Sequence, residues 1–195
     1  MVKKYCRKCS TNKSREDFYK NRASKDGLAG YCKKCTNSYR IKWQESRPYY
    51  YSWNSNLKRA RERDLPATWT YDELTETLEY FGGCAITGDT EDLTWDHVIP
   101  LEANYGGTTA ENMIPIRRDL NSSKGFRNLV SWYEWATNIY GIDIDKLDGL
   151  LTYLASKNGM SVDEYIDYIN YDSTVIYDDW RNKISKSLGD KRETV

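Results

Sequence analysis

Trp95-Asp96-His97-Val98-Ile99-Pro100-Leu101 holds the only histidine of the 195-residue chain, behind a carboxylate and ahead of a short apolar run that proline closes. With one imidazole, mechanisms that need two are excluded, His-rich catalytic zinc sites of the H-E-x-x-H kind among them. A Ser-His-Asp triad stays arithmetically open, but no G-x-S-x-G nucleophile elbow accompanies it. From Cys84 to Leu101 the apolar runs are brief and flank Gly88-Asp89, a pattern that predicts two strands of a hairpin turning there. Neighbours on a regular strand face opposite sides, so Asp96 and His97 reach one ligand only if the strand bulges or ends at this point. Pro100 agrees with an ending strand.

Outward from this stretch the pattern becomes helical. Downstream, Gly106-Gly107 precedes Asn112-Met113-Ile114-Pro115-Ile116, which leads into a short helix interrupted at Gly125. Leu129, Trp132, Ala136 and Ile139 then form one helical stripe, Ile144, Leu147, Leu151 and Leu154 a second, and Ile176, Trp180, Ile184 and Leu188 a last one. Gly159 caps, and Ser161 to Glu164 spells a capping box. Such stripes are core more often than ligand boxes, so 128–195 is assigned to a helical scaffold region. Upstream, a helix opens at Thr70 with a capping box to Glu73, buries Leu74, Leu78 and Phe81, and stops at Gly82-Gly83. Tyr39 to Trp43 and Pro48 to Asp64 read as basic helices. In the second, Trp53, Leu57 and Ala60 share a face, while Lys58, Arg59, Arg61 and Arg63 fall largely on the others and suit a phosphate backbone.

Cys6-x-x-Cys9 and Cys32-x-x-Cys35, with 22 residues between the pairs, suit a tetrahedral thiolate site for Zn²⁺. Disulfides are the alternative and need an oxidising compartment. Four cysteine ligands leave no open position, so this metal folds a module over 1–40 and does not catalyse. Charge is divided along the chain although its net value is zero: residues 1–65 are net +12, 66–140 net −8 and 141–195 net −4. A basic third is the electrostatic footprint of nucleic-acid binding, because neutralised phosphates release counterions; a solvated charged face is the bland alternative. No apolar run approaches the roughly 20 residues of a membrane span, and Met1-Val2-Lys3-Lys4-Tyr5 leads into no signal core, so a cytoplasmic protein without a membrane partner is expected.

Taken in order, Trp95–Leu101, Gly106-Gly107, Glu111-Asn112-Met113-Ile114-Pro115 and Asp119-Leu120-Asn121-Ser122-Ser123-Lys124-Gly125 resemble the HNH endonuclease motif over about residues 84–127. The Cys6–Cys35 segment is similar to a zinc module found in front of bacteriophage HNH and endonuclease VII-type proteins. The resemblance implies an α+β chain with a ββα-metal core of a hairpin plus a helix, behind the zinc module (1–40) and a basic helical segment (41–83). It implies a nuclease on double-stranded DNA in a bacterial or phage-infected cell. Asp96 and Asn121 would hold one Mg²⁺ or another divalent cation through hard oxygen donors, and His97 would be the general base. Asn112 would pin the loop that positions the catalytic strand, and Lys124 would face phosphate. Arg117 and Arg118 join the DNA-contacting candidates. Many relatives carry a second cysteine site inside the nuclease core; here Cys84 stands alone there and is expected to be a buried apolar residue. Without cysteine pairs bracketing the catalytic residues, the resemblance does not extend to Holliday-junction resolution. A zinc-dependent nucleic-acid binder with no catalysis is the alternative function.

Overall fold

The computed structural model describes residues 2–170, and the stripe from Ile176 to Leu188 lies outside them. The described part is mixed α+β, with seven α-helices and three two-stranded antiparallel sheets. The chain divides into two compact units, meeting between Tyr50 and Tyr51.

In the first unit β1 (Lys3–Cys6) pairs with β2 (Thr11–Ser14), and β3 (Phe18–Lys20) pairs with β4 (Leu28–Cys32). Helix α1 (Lys33–Glu45) follows directly and starts earlier than the Tyr39–Trp43 segment suggests. Among the described residues the apolar core here is Cys6, Phe18 and Cys32, with Leu28 and Cys35 packed against it. Burial on that scale does not offset the ordering entropy of some fifty residues, and small modules of this kind need a covalent or metal staple.

In the second unit α2 (Tyr50–Arg61) buries Leu57 and Ala60, and the half-buried Trp53 donates its indole N–H to the Trp69 carbonyl at 3.0 Å. Helix α3 (Tyr71–Phe81) carries the capping box in full: Glu73 N–H reaches Thr70 Oγ1, and Thr70 N–H reaches Glu73 Oε2. Gly82 ends it in the left-handed conformation at φ 65°. Leu74 is buried, whereas Leu78 and Phe81 are half-buried.

The hairpin differs from the expected one. Its strands are β5 (Leu93–His97) and β6 (Met113–Arg117), paired antiparallel from Leu93↔Arg117 to His97↔Met113. Residues 84–92 form turns instead, because their hydrogen bonds close locally: Cys84 N–H donates to the Asp89 carbonyl at 2.7 Å and Gly88 N–H to the Cys84 carbonyl at 2.8 Å. Only glycine fits at Gly83, where a Cβ would lie 2.6 Å from the carbonyl oxygens of both Gly88 and Asp89. The turn still lies along the outer edge of β6. Ala85 N–H donates to the Pro115 carbonyl at 2.8 Å, and Arg117 N–H to Cys84 Sγ at 3.3 Å. Residues 113, 115 and 117 therefore point their backbone groups away from β5, and Pro115 sits where its missing N–H removes nothing from the ladder. Cys84 is buried, as expected of an apolar residue.

Helix α4 (Arg118–Lys124) follows β6 and ends at Gly125, which has φ 54° and ψ −126°. Then come α5 (Leu129–Tyr140), α6 (Asp145–Lys157) and α7 (Val162–Ile169), the last opened by the Ser161–Glu164 capping box. Leu129, Trp132 and Ala136 are buried, but Ile139 and Ile144 are exposed, and Tyr133 and Leu150 fill the core in their place. One apolar cluster runs from Cys84 through Ile114, Ile116 and Leu120 to Trp132, Leu154 and Ile169, so the hairpin, α4 and the later helices share a single core.

Candidate functional site

Two chemically distinct places emerge. The first is the cysteine cluster. The β1–β2 turn presents Cys6 and Cys9, while the end of β4 and the first turn of α1 present Cys32 and Cys35. All four Sγ atoms lie within 4.8 Å of one another. A tetrahedron with metal–sulfur bonds of about 2.3 Å has sulfur–sulfur edges of about 3.8 Å, so small movements close the cluster on an ion such as zinc. The thiols are unequal. Burial raises Cys6, but hydrogen bonds from the backbone of Cys32, Cys9 and Lys8 outweigh it and bring the thiol down to about 6. Cys35 is pushed up to about 12, first by its hydrogen bond with Cys32 and then by burial. Four sulfurs at this separation hold protons between them that a cation displaces on binding.

The second place is a cleft of about 160 Å³ in the other unit, lined by Asp96, His97 and Asn121, with Arg59 and Glu102 among its walls. Strand β5 ends at His97 without a bulge, and that ending lets consecutive side chains border one space. Helix α4 brings in Asn121, whose side-chain N–H donates to the Trp95 carbonyl at 3.2 Å. The amide nitrogen is thereby tied to β5, and the carbonyl oxygen has no partner among the described residues.

Asn112 fastens the connection between the strands. It accepts from Ile99 N–H at 2.8 Å and donates to the carbonyls of Ile99 at 2.9 Å and Gly107 at 2.7 Å. Those bonds hold residues 99 and 107 together and fix the chain leaving His97. Glycine is required at 107, where φ is 79° and a Cβ would overlap the Pro66 carbonyl. The closure seats Thr108 against the 66–69 segment: Thr108 N–H donates to the Pro66 carbonyl at 2.8 Å, and Trp69 N–H to the Thr108 carbonyl at 3.2 Å.

His97 is buried but for 6% of its surface, and its Nε2 lies 2.8 Å from Thr108 Oγ1. Burial lowers its pKa to about 3, helped by the positive charges of Arg59, Lys124 and Arg63, so the ring is neutral across the physiological range. Asp96 is 7% exposed, and its carboxyl is held above the usual range by burial, against the pull of Lys124 and of the His97 backbone N–H.

Lys124 corrects the expectation drawn for it. It does not face a phosphate: its side chain is fully buried, 3.0 Å from Asp96 Oδ2. Its ammonium donates to the His97 carbonyl, also at 3.0 Å. Oδ2 thus receives the charge of Lys124 but no aligned hydrogen bond, and among the described residues it is one of few buried side-chain oxygens left so. Arg117 is likewise engaged, by Asp89 at 2.6 Å and Asp119 at 2.7 Å. Arg118 pairs with Asp92 at 2.9 Å in an exposed contact that competes weakly with a phosphate. On α2 and its C-terminal extension, Arg59 and Arg63 reach toward Glu102 at 4.0 and 3.1 Å, whereas Lys58 pairs with Glu62 and Arg61 is exposed. Glu102 and Thr108 escape sequence reasoning. An acidic residue in a loop and a threonine after two glycines carry no local signal of a site.

Comparison with protein-family models, with curated proteins and with solved structures returns no match. Among the described residues no helix is long and apolar enough to cross a membrane.

Proposed function

We propose that the chain is a metal-dependent endonuclease of the HNH, ββα-metal kind that hydrolyses phosphodiester bonds of double-stranded DNA. The observation that carries this reading is the shared cleft: a carboxylate, the only imidazole and a carboxamide from α4 border one small space with Arg59 beside them. The imidazole is neutral there, and it is the group in the cleft that would take a proton from water. The water oxygen forms the new bond to phosphorus, its proton passes to His97, and the P–O3′ bond breaks with its electron pair on the departing oxygen, which solvent protonates. Arg59 and Arg63 supply positive charge to the phosphate, and the phosphate's own charge raises the His97 pKa against the burial and the cations that lower it.

The Asp96 carboxylate, whose Oδ2 also faces the Lys124 ammonium at 3.0 Å, and the unengaged carbonyl oxygen of Asn121 are the hard donors of the cleft that would hold Mg²⁺. Such an ion would stabilise negative charge on the phosphoryl and leaving oxygens. Zn²⁺ in the Cys6, Cys9, Cys32, Cys35 cluster would fold the first unit, whose basic residues add phosphate contacts.

One observation favours a second reading. The buried Asp96–Lys124 pair gives the carboxylate a purely structural partner, as in a zinc-dependent nucleic-acid binder that does not cut. Incubating supercoiled plasmid with Mg²⁺ and either wild type or His97→Ala separates the two. The endonuclease reading requires nicked or linear product from wild type alone; DNA binding by both proteins with cleavage by neither overturns it.

A further inference from the structure

The side chain that touches His97 asks for an explanation the cleft alone does not give. Thr108 is fully buried, and its hydroxyl lies 2.8 Å from His97 Nε2 and 3.1 Å from the backbone carbonyl of Asn56, inside α2. A hydroxyl has one proton. The Asn56 carbonyl can only accept, so when Thr108 donates to it, the hydroxyl must accept from His97, and Nε2 must carry the ring proton. In the opposite tautomer Thr108 would donate to Nε2, and its oxygen would sit against the Asn56 carbonyl with no proton between them. The remaining ring nitrogen, Nδ1, has no partner among the described residues and is not among the buried atoms left unpaired, so it opens to the cleft.

We infer that Thr108 is a positioning residue: through the Asn56 carbonyl it fixes His97 with its proton on Nε2 and leaves Nδ1 as the nitrogen that receives the proton of water. The site is built for this. Gly107 permits the close approach to Pro66, Asn112 ties Gly107 to Ile99, and the bonds from 108 to 66 and 69 hold the hydroxyl between a helix carbonyl and the ring. The consequence for catalysis rests on the endonuclease reading; the tautomer itself does not.

The histidine being the only one in the chain, its ring nitrogens can be read directly in the full-length, ¹⁵N-labelled protein by long-range proton–nitrogen correlation, near pH 7. Wild type is expected to show Nε2 protonated and Nδ1 bare. Thr108→Val keeps the shape and removes the hydroxyl, and with one hydrogen bond lost it shifts the tautomer ratio toward Nδ1–H by roughly three- to tenfold. Plasmid cleavage falls in Thr108→Val, by up to that factor through the tautomer alone, and returns in Thr108→Ser. A wild-type ring with its proton on Nδ1, or a ratio unmoved by Thr108→Val, overturns the inference. The expected tautomer and its shift, found in a wild-type protein that never cuts, would uphold the positioning role and overturn the endonuclease reading instead.

Discussion

Replacing Lys124 by methionine tests whether the cleft is organised around a buried charge pair. Methionine approximates the length of the lysine stem, so little volume is lost. What disappears is the ammonium 3.0 Å from Asp96 Oδ2 and the hydrogen bond to the His97 carbonyl. Removing one partner of a buried pair leaves an uncompensated charge and typically costs about 3–5 kcal/mol. Asp96 already sits above the usual carboxylate range through burial, and without Lys124 it is driven higher still. The folded variant then takes up the Asp96 proton at a higher pH than wild type does, so its deficit grows as pH rises through that window and shrinks as pH falls below it. Urea denaturation of wild type and Lys124→Met at pH 7.5 and pH 5.5 measures this. The larger loss is expected at the higher pH, with a fall in melting temperature of roughly 2–4 °C per kcal/mol. Asp96→Asn/Lys124→Met should recover most of the loss, since neither charge is then stranded. A variant as stable as wild type that binds DNA less tightly, with a shallower salt dependence, would show Lys124 on a phosphate after all and refute the reasoning.

Zinc removal should act on one unit. A chelator, or Cys32→Ser, is expected to abolish amide-exchange protection in the first fifty residues while strands Leu93–His97 and Met113–Arg117 stay protected; collapse of both units together would contradict this. Asn112→Ala removes three buried hydrogen bonds and, at about 0.5–1.5 kcal/mol each, should cost roughly 2–4 kcal/mol by denaturant titration. A loss under 1 kcal/mol would mean the loop after His97 is held by something else. His97 has a folded pKa near 3 and an ordinary unfolded value of 6.5, so between them the unfolded chain binds the extra proton and stability falls with falling pH, by at most about 1.4 kcal/mol per pH unit. The stability difference between wild type and His97→Gln should therefore change across pH 6.5 to 4.5, and a flat difference would show the ring is not held neutral.

Local signals in this chain were readable because their causes are local. The Thr70–Glu73 and Ser161–Glu164 capping boxes join residues three apart, and both are formed. The two Cys-x-x-Cys pairs needed only the chain to fold back once, and the four sulfurs do gather. The order of Asp96-His97 and Asn121 pointed to one place, and all three border the same cleft. The hairpin is not legible in the sequence because apolar runs do not name their partner: Cys84–Ile86 fits a strand by composition, yet β6 pairs with β5 and leaves that segment as a turn on its outer edge. Ile139 and Ile144 fit helical stripes by periodicity and are exposed all the same, since periodicity gives a face but not what covers it.

By itself the sequence determined which groups this protein has to work with: one imidazole, a cysteine quartet, a basic first third and helices with written caps. Lys124 shows what only the tertiary structure decided. A lysine is ordinarily placed in water by the cost of burying its charge, and that cost is offset here by a carboxylate and a carbonyl brought in from β5. Thr108 is the same case without charge, because the worth of its single proton depends on a helix carbonyl 52 residues away. Composition and spacing carry short-range preferences, whereas a buried polar group acquires its role from whichever distant atoms complete its hydrogen bonds.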